Sequence, residues 1–127
     1  MKNILIVDDD VNTSLKYKKW LEDEEFNLTL ISDPSLAELN FKSDNYDLIL
    51  IGFKMSVIDR FNLYNKINEI SKKVEHTPKE FRVCFMTSSV VNYKVLAEIP
   101  PEIGEECYVS KEVPKEVFIK HVYSLIS

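Results

Sequence analysis

Glycine is nearly missing from this chain, with two among 127 residues. A glycine at the point where a strand gives way to a loop therefore asks for an explanation, and Gly52 stands at such a point. Cysteine is equally scarce. Cys84 and Cys107 lie in strand-like runs, with no CxxC spacing and no second metal-type ligand nearby. They read as buried thiols in a reducing cytoplasm, not as a metal site. The two histidines, His76 and His121, are far apart, in a polar loop and a helix, with no nucleophile or metal partner by spacing; the default for both is the surface. No apolar run approaches the roughly 20 residues of a membrane span. The first strand starts at residue 3, which leaves no room for a signal peptide. Positive charge is in deficit, 16 Lys and Arg against 21 Asp and Glu for a net of −5. That balance disfavours nucleic acid or an anionic membrane as the main partner. Internal repeats, low-complexity tracts and linkers are absent as well. The expectation is one soluble domain over residues 1–127, large enough to bury a core without staples.

The residues present fall into five alternating strand and helix segments. Asn3 to Val7 is a continuous aliphatic run, as expected of a strand buried on both faces. It ends in Asp8-Asp9-Asp10, and Val11, Leu15, Lys18 and Leu21 then mark one helical face up to about Glu24. Phe26 to Ile31 is a second strand. Asp33-Pro34 starts a helix carrying Leu36, Ala37, Leu39, Asn40 and Phe41, which fades at residues 43–45. Asp47 to Ile51 is the third strand, and a helix from about Arg60 to Val74 follows, with Phe61, Tyr64, Ile67 and Ile70 at helical spacing. Residues 75–80 are a polar, proline-broken connection. Phe81 to Met86 is the fourth strand, and a helix from about Val90 to Ile99 stops before Pro100-Pro101. Cys107 to Ser110 is a short fifth strand. Pro114 starts the last helix, with Val117, Phe118, Val122 and Leu125 toward the core. Helices linking parallel strands give an α/β, doubly wound five-stranded parallel sheet.

Ligands of such sheets bind outside the carboxyl ends of the strands. Asp8 to Asp10, Gly52 to Lys54, Thr87-Ser88 and Lys111 should converge there. Adjacent carboxylates suit a hard cation, and Mg²⁺ takes one or two of them plus waters. Asp10 is also placed to cap the first helix. A hydroxyl at Thr87 and an ammonium at Lys111 suit the oxygens of a phosphoryl group.

This pattern resembles the receiver domain of two-component response regulators, the CheY-like members of the flavodoxin-like (βα)5 class. Ile4-Leu5-Ile6-Val7-Asp8-Asp9-Asp10 is similar to the family's first strand with its acidic pair, Asp8 and Asp9. Tyr46 to Ile51 resembles the third strand, and Met55 and Asp59 the loop beyond it. Val83 to Ser88 matches the fourth strand with its hydroxyl at Thr87. Gly104 to Lys111 matches the fifth, with the switch aromatic at Tyr108 and the lysine at Lys111. The resemblance implies strand order 2-1-3-4-5 and transfer of a phosphoryl group from a histidine kinase to an aspartate. That aspartate belongs at position 52, where this chain has Gly. Ser56, Arg60 and Glu112 depart from the family's Pro, Gly and Pro around the same site.

Glycine has no side chain to act as nucleophile or to give Mg²⁺ its oxygen. Asp47 starts its strand far from the site, Asp59 lies well down the loop, and Ser56 lacks an activating base. The expectation is a degenerate, stand-alone pseudo-receiver that needs no cofactor and acts by protein–protein interaction. Its partner would be a histidine kinase or a downstream signalling protein, met through the family's helix 4–strand 5–helix 5 face, with the domain a monomer or weak homodimer. In the pocket of Asp8, Asp9, Gly52, Lys54, Thr87 and Lys111, the ammonium groups of Lys54 and Lys111 are suited to offset the acidic pair. The alternative is weak Mg²⁺ on Asp8 and Asp9, or water, in a receiver fold with no signalling role left. A second reading, from the enzymes, is a haloacid-dehalogenase-like phosphatase with Asp8 as nucleophile and Asp10 as acid. It lacks that family's later acidic pair and cap insertion.

Overall fold

The aliphatic run at the amino terminus forms β1 (Lys2–Val7), and its lack of a polar alternation has a direct structural cause. Successive side chains of a strand point to opposite faces. Ile4 and Ile6 enter one buried cluster, and Leu5 and Val7 enter a second cluster on the other side of the sheet. The computed structural model describes residues 2–8, 10–33, 35–37, 41, 46–52, 57–73, 81–87, 108–110 and 113–126. Along these follow α1 (Val11–Glu22), β2 (Phe26–Ile31), β3 (Leu48–Ile51), α2 (Val57–Ser71), β4 (Arg82–Thr87), β5 (Tyr108–Ser110) and α3 (Lys115–Ile126). Residues 35–37 and 41 are helical too. The strands form one parallel sheet in the order β2-β1-β3-β4-β5, as the resemblance implied. The helix expected at 90–99, the connection at 75–80, His76 and Cys107 lie outside the described residues.

Two layers of side chains cover the sheet. On one side Leu48, Leu50, Cys84 and Met86 meet Tyr17 and Leu21 of α1 and Phe118, Val122 and Leu125 of α3. On the other, Ile49, Ile51, Val83 and Phe85 meet Leu63, Tyr64 and Ile67 of α2, with Ala37 and Phe41. Cys84 is buried and outside any disulfide, as the sequence reading expected. The amino edge of the sheet is fastened by Asp47, whose carboxylate accepts the Asn3 N–H at 2.8 Å and whose N–H donates to the Asn3 carbonyl at 2.8 Å. At the expected helix start, Asp33 Oδ1 accepts the Ser35 hydroxyl at 2.8 Å and the Ser35 N–H at 3.0 Å. Those two bonds, the hydroxyl's first, hold its carboxyl below the ordinary value.

Two helix faces differ from the sequence expectation. On α1, Ser14, Tyr17 and Leu21 are buried, whereas Val11 and Leu15 are 54% and 52% exposed. Aromatic packing sets this rotation. The Tyr17 ring stacks on Phe118 with centroids 4.6 Å apart, and Trp20 meets both rings. On α3, Phe118, Val122, Leu125 and Ile126 are buried, and Val117 is 51% exposed rather than in the core. Boundaries shift as well: α1 stops at Glu22, α2 runs from Val57 to Ser71, and β4 starts at Arg82.

The two neighbours on α3 should therefore separate sharply in a denaturant titration. Phe118→Ala is expected to cost about 3–5 kcal/mol, the usual range for a buried aromatic. Val117→Ala should stay within about 0.5 kcal/mol of the parent.

Candidate functional site

The site is built at the carboxyl ends of β1 and β3, which lie side by side with Val7 opposite Ile51. One residue beyond that pair the chains are still hydrogen bonded. The Gly52 N–H donates to the Val7 carbonyl at 2.7 Å, and the Asp8 N–H donates across β2 to the Ile31 carbonyl at 3.0 Å. Asp8 and Gly52 are thus neighbours fixed by the ladder itself. The same register continues through Ile51 opposite Phe85 and Phe85 opposite Tyr108, and places Thr87 opposite Ser110. The backbone brings Asp8, Gly52, Thr87 and Tyr108 to one end of the sheet. Asp9, Lys54, Ser56, Lys111 and Glu112 lie outside the described residues, and Asp47 sits at the opposite, amino edge.

The Asp8 side chain does not project into solvent. It is 1% exposed, and its carboxylate lies in the room that a side chain at position 52 would need. A β-carbon built on Gly52 would stand 2.6 and 2.7 Å from the two carboxylate oxygens of Asp8, and would overlap its Cγ. Such distances are well inside van der Waals contact, so a side chain at 52 and this placement of Asp8 exclude one another. Gly52 does not have the positive φ that would itself demand glycine. The need for glycine here is steric, and Asp8 creates it.

A buried carboxylate is costly unless it is hydrogen bonded. Asp8 Oδ1 accepts the Asp10 N–H at 3.0 Å, just ahead of the α1 N-terminus, whose dipole favours negative charge. Asp10 occupies the cap position of α1, its carbonyl accepting the Ser14 N–H at 3.0 Å. The fold family implies Mg²⁺ at this strand end. Of the acidic pair expected to hold it, only Asp8 lies among the described residues; Asp8 is enclosed and Gly52 supplies no side-chain oxygen, whereas Mg²⁺ keeps several waters in a near-octahedral shell. Among the described residues, no three His, Cys, Asp or Glu side chains gather as a metal centre would require.

The sequence expectation had Asp8 and Asp9 as an acidic pair offset by Lys54 and Lys111, or by weak Mg²⁺ or water. It missed the inward turn of Asp8, and the available signal was the register that sets a carboxylate beside the missing side chain. Gly52→Ala should force Asp8 out and sacrifice the hydrogen bond its carboxylate accepts from the Asp10 N–H, at about 1.5–3 kcal/mol. In an Asp8→Ala background the same Gly52→Ala change should cost no more than about 0.5 kcal/mol. A double-mutant cycle in urea measures that coupling; additive costs would contradict the contact.

Comparison with known proteins agrees with this architecture. The family model of the response regulator receiver domain matches residues 4–123. No curated protein matches the sequence. Among solved structures, a CheY-like response regulator receiver domain protein from Methanospirillum hungatei is 17% identical, with a TM-score of 0.77 over 99% of this chain and 94% of its own. A two-component response regulator from Clostridium difficile is 22% identical, with a TM-score of 0.77 over 98% of this chain and 95% of its own. The chemotaxis response regulator CheY4 of Vibrio cholerae is 17% identical, with a TM-score of 0.78 over 98% of both chains. At these identities the structures speak for the fold, and the family match over residues 4–123 speaks for descent. The chain belongs to the response regulator receiver domain family.

Proposed function

We propose that this receiver works without aspartyl phosphorylation, as a pseudo-receiver that signals by binding other proteins. The observation that carries the reading is the volume at position 52, which holds no nucleophile and is taken by the carboxylate of Asp8. Loss of the acceptor alone would leave an open pocket with its other groups in place. Here a neighbouring side chain has filled the gap and is buried in it. The pocket is held in one arrangement, with no phosphoryl group required and no Mg²⁺ engaged. Lys54 and Lys111 remain the proposed counter-charges, Thr87 a relic of phosphoryl binding and Tyr108 the switch position.

The partner in this reading is a histidine kinase or a downstream signalling protein in the cytoplasm. It meets the face formed by residues 90–99, β5 and α3, with the domain itself a monomer or weak homodimer. The half-exposed Val117 of α3 suits such a contact. Nucleic acid and membrane are not proposed as partners; the net charge is −5, and among the described residues no helix is long and apolar enough to cross a membrane. A phosphatase mechanism through Asp8 and Asp10 finds no support, because its nucleophile would be only 1% exposed.

The test is a trial with acetyl phosphate and Mg²⁺, comparing the native chain with Gly52→Asp by mass spectrometry. The native protein should gain no acyl phosphate. Gly52→Asp displaces Asp8 and restores a carboxylate nucleophile, so it should gain one. An acid-stable or acyl phosphate on the native chain would overturn the reading.

A further inference from the structure

The strand at one edge of the sheet, β2, pairs only with β1 among the described residues. Which of its backbone groups face outward follows from one hydrogen bond. The Ile31 carbonyl accepts the Asp8 N–H on the β1 side, and main-chain groups alternate in direction along a parallel strand. Thr29 therefore turns its N–H and carbonyl toward β1, and Leu28 and Leu30 turn theirs away from the sheet. Open edges are templates for further strands, and proteins blunt them with charge, proline, bulges or shortness. The opposite edge, β5, has only three residues. β2 has six, Phe26 to Ile31, with no charge and no proline, and its register with residues 2–7 runs without a bulge. Nothing in its sequence guards it.

Charge stands at its two ends instead. Glu25 precedes the strand and Asp33 follows it, both exposed. Neither has an ion-pair partner among the described residues. Lys2, Lys18 and Lys115 are engaged elsewhere, by Asp47 at 3.8 Å, Glu22 at 3.5 Å and Asp23 at 3.2 Å. We propose that β2 takes an added strand from a partner protein, an extended segment with an uncharged core of about six residues and a basic residue at each end. The outward main-chain groups of Leu28 and Leu30 bond its backbone. Its side chains alternate, apolar beside Leu28 and Leu30, which pack on the core shared with α1, and polar beside Asn27 and Thr29. Its basic ends meet Glu25 and Asp33, about 25 Å apart along an extended chain. A second copy of this chain is the poorer occupant, since β2 against β2 sets acid beside acid at both ends. The surface lies on the far edge of the sheet from β5 and is independent of the phosphorylation reading.

The experiment is amide NMR with hydrogen exchange on the ¹⁵N-labelled protein, titrated with a pair of peptides with capped termini. Both carry an alternating Val-Thr core of about six residues; one ends in lysines, the other in glutamates. In the free protein the Leu28 and Leu30 amides should exchange faster than those of Thr29 and Ile31. The lysine peptide should give saturable shifts centred on β2, and at saturation should slow the Leu28 and Leu30 amides by about tenfold or more. The glutamate peptide should bind at least about fivefold more weakly, since exposed like-charge pairs replace opposite ones at both ends. Glu25→Lys with Asp33→Asn changes exposed residues and keeps a capping side chain at 33, so it should fold and lose the preference for lysine. No saturation at β2, unprotected Leu28 and Leu30 amides in the complex, or equal affinity for both peptides would each overturn the proposal. So would concentration-dependent shifts of β2 without peptide, which would assign the edge to a second copy.

Discussion

A carboxylate and a side chain at the next strand's end compete here for the same few ångströms, and the carboxylate has them. The parallel ladder forces the competition. Val7 pairs with Ile51, and the hydrogen bond from Gly52 to the Val7 carbonyl leaves Asp8 and position 52 no freedom to separate. With glycine at 52, Asp8 turns inward, is buried and takes the Asp10 N–H. With any larger residue it could not. A single missing side chain therefore leaves the room in which its neighbour is buried.

Much of this fold was legible in the residues. The unbroken aliphatic runs at residues 4–7 and 48–51 required strands covered on both faces, and the two core clusters divide those residues alternately, as the pleat demands. Helix rotation was harder to read. Val11, Leu15 and Leu21 form a plausible apolar stripe, but a stack between Tyr17 and Phe118, about a hundred residues apart in the sequence, sets the face instead. Local periodicity carries no information about that partner. Val117 misled for the same reason, since its neighbour Phe118 supplies the ring.

At the site, the lack of a side chain at position 52 was legible from Gly52 alone, whereas the reply of Asp8 was not. Two adjacent acids at a strand end suggest repulsion offset by a cation, from Lys54, Lys111 or a metal. The outcome depends on three-dimensional adjacency between residues 44 apart, and on a backbone N–H at Asp10 that donates to the turned carboxylate. The result is a receiver that keeps the family's sheet with the Asp8 carboxylate buried beside Gly52. The proposed role in recognition without a covalent step is built on that packing.

The most direct measurement is a crystal structure grown with a large excess of Mg²⁺. The expected density places the Asp8 carboxylate in the hollow beside Gly52, with one oxygen on the Asp10 N–H and no metal at its oxygens. An Asp8 side chain turned outward onto a hydrated magnesium ion, with the hollow at Gly52 vacated, would contradict the account.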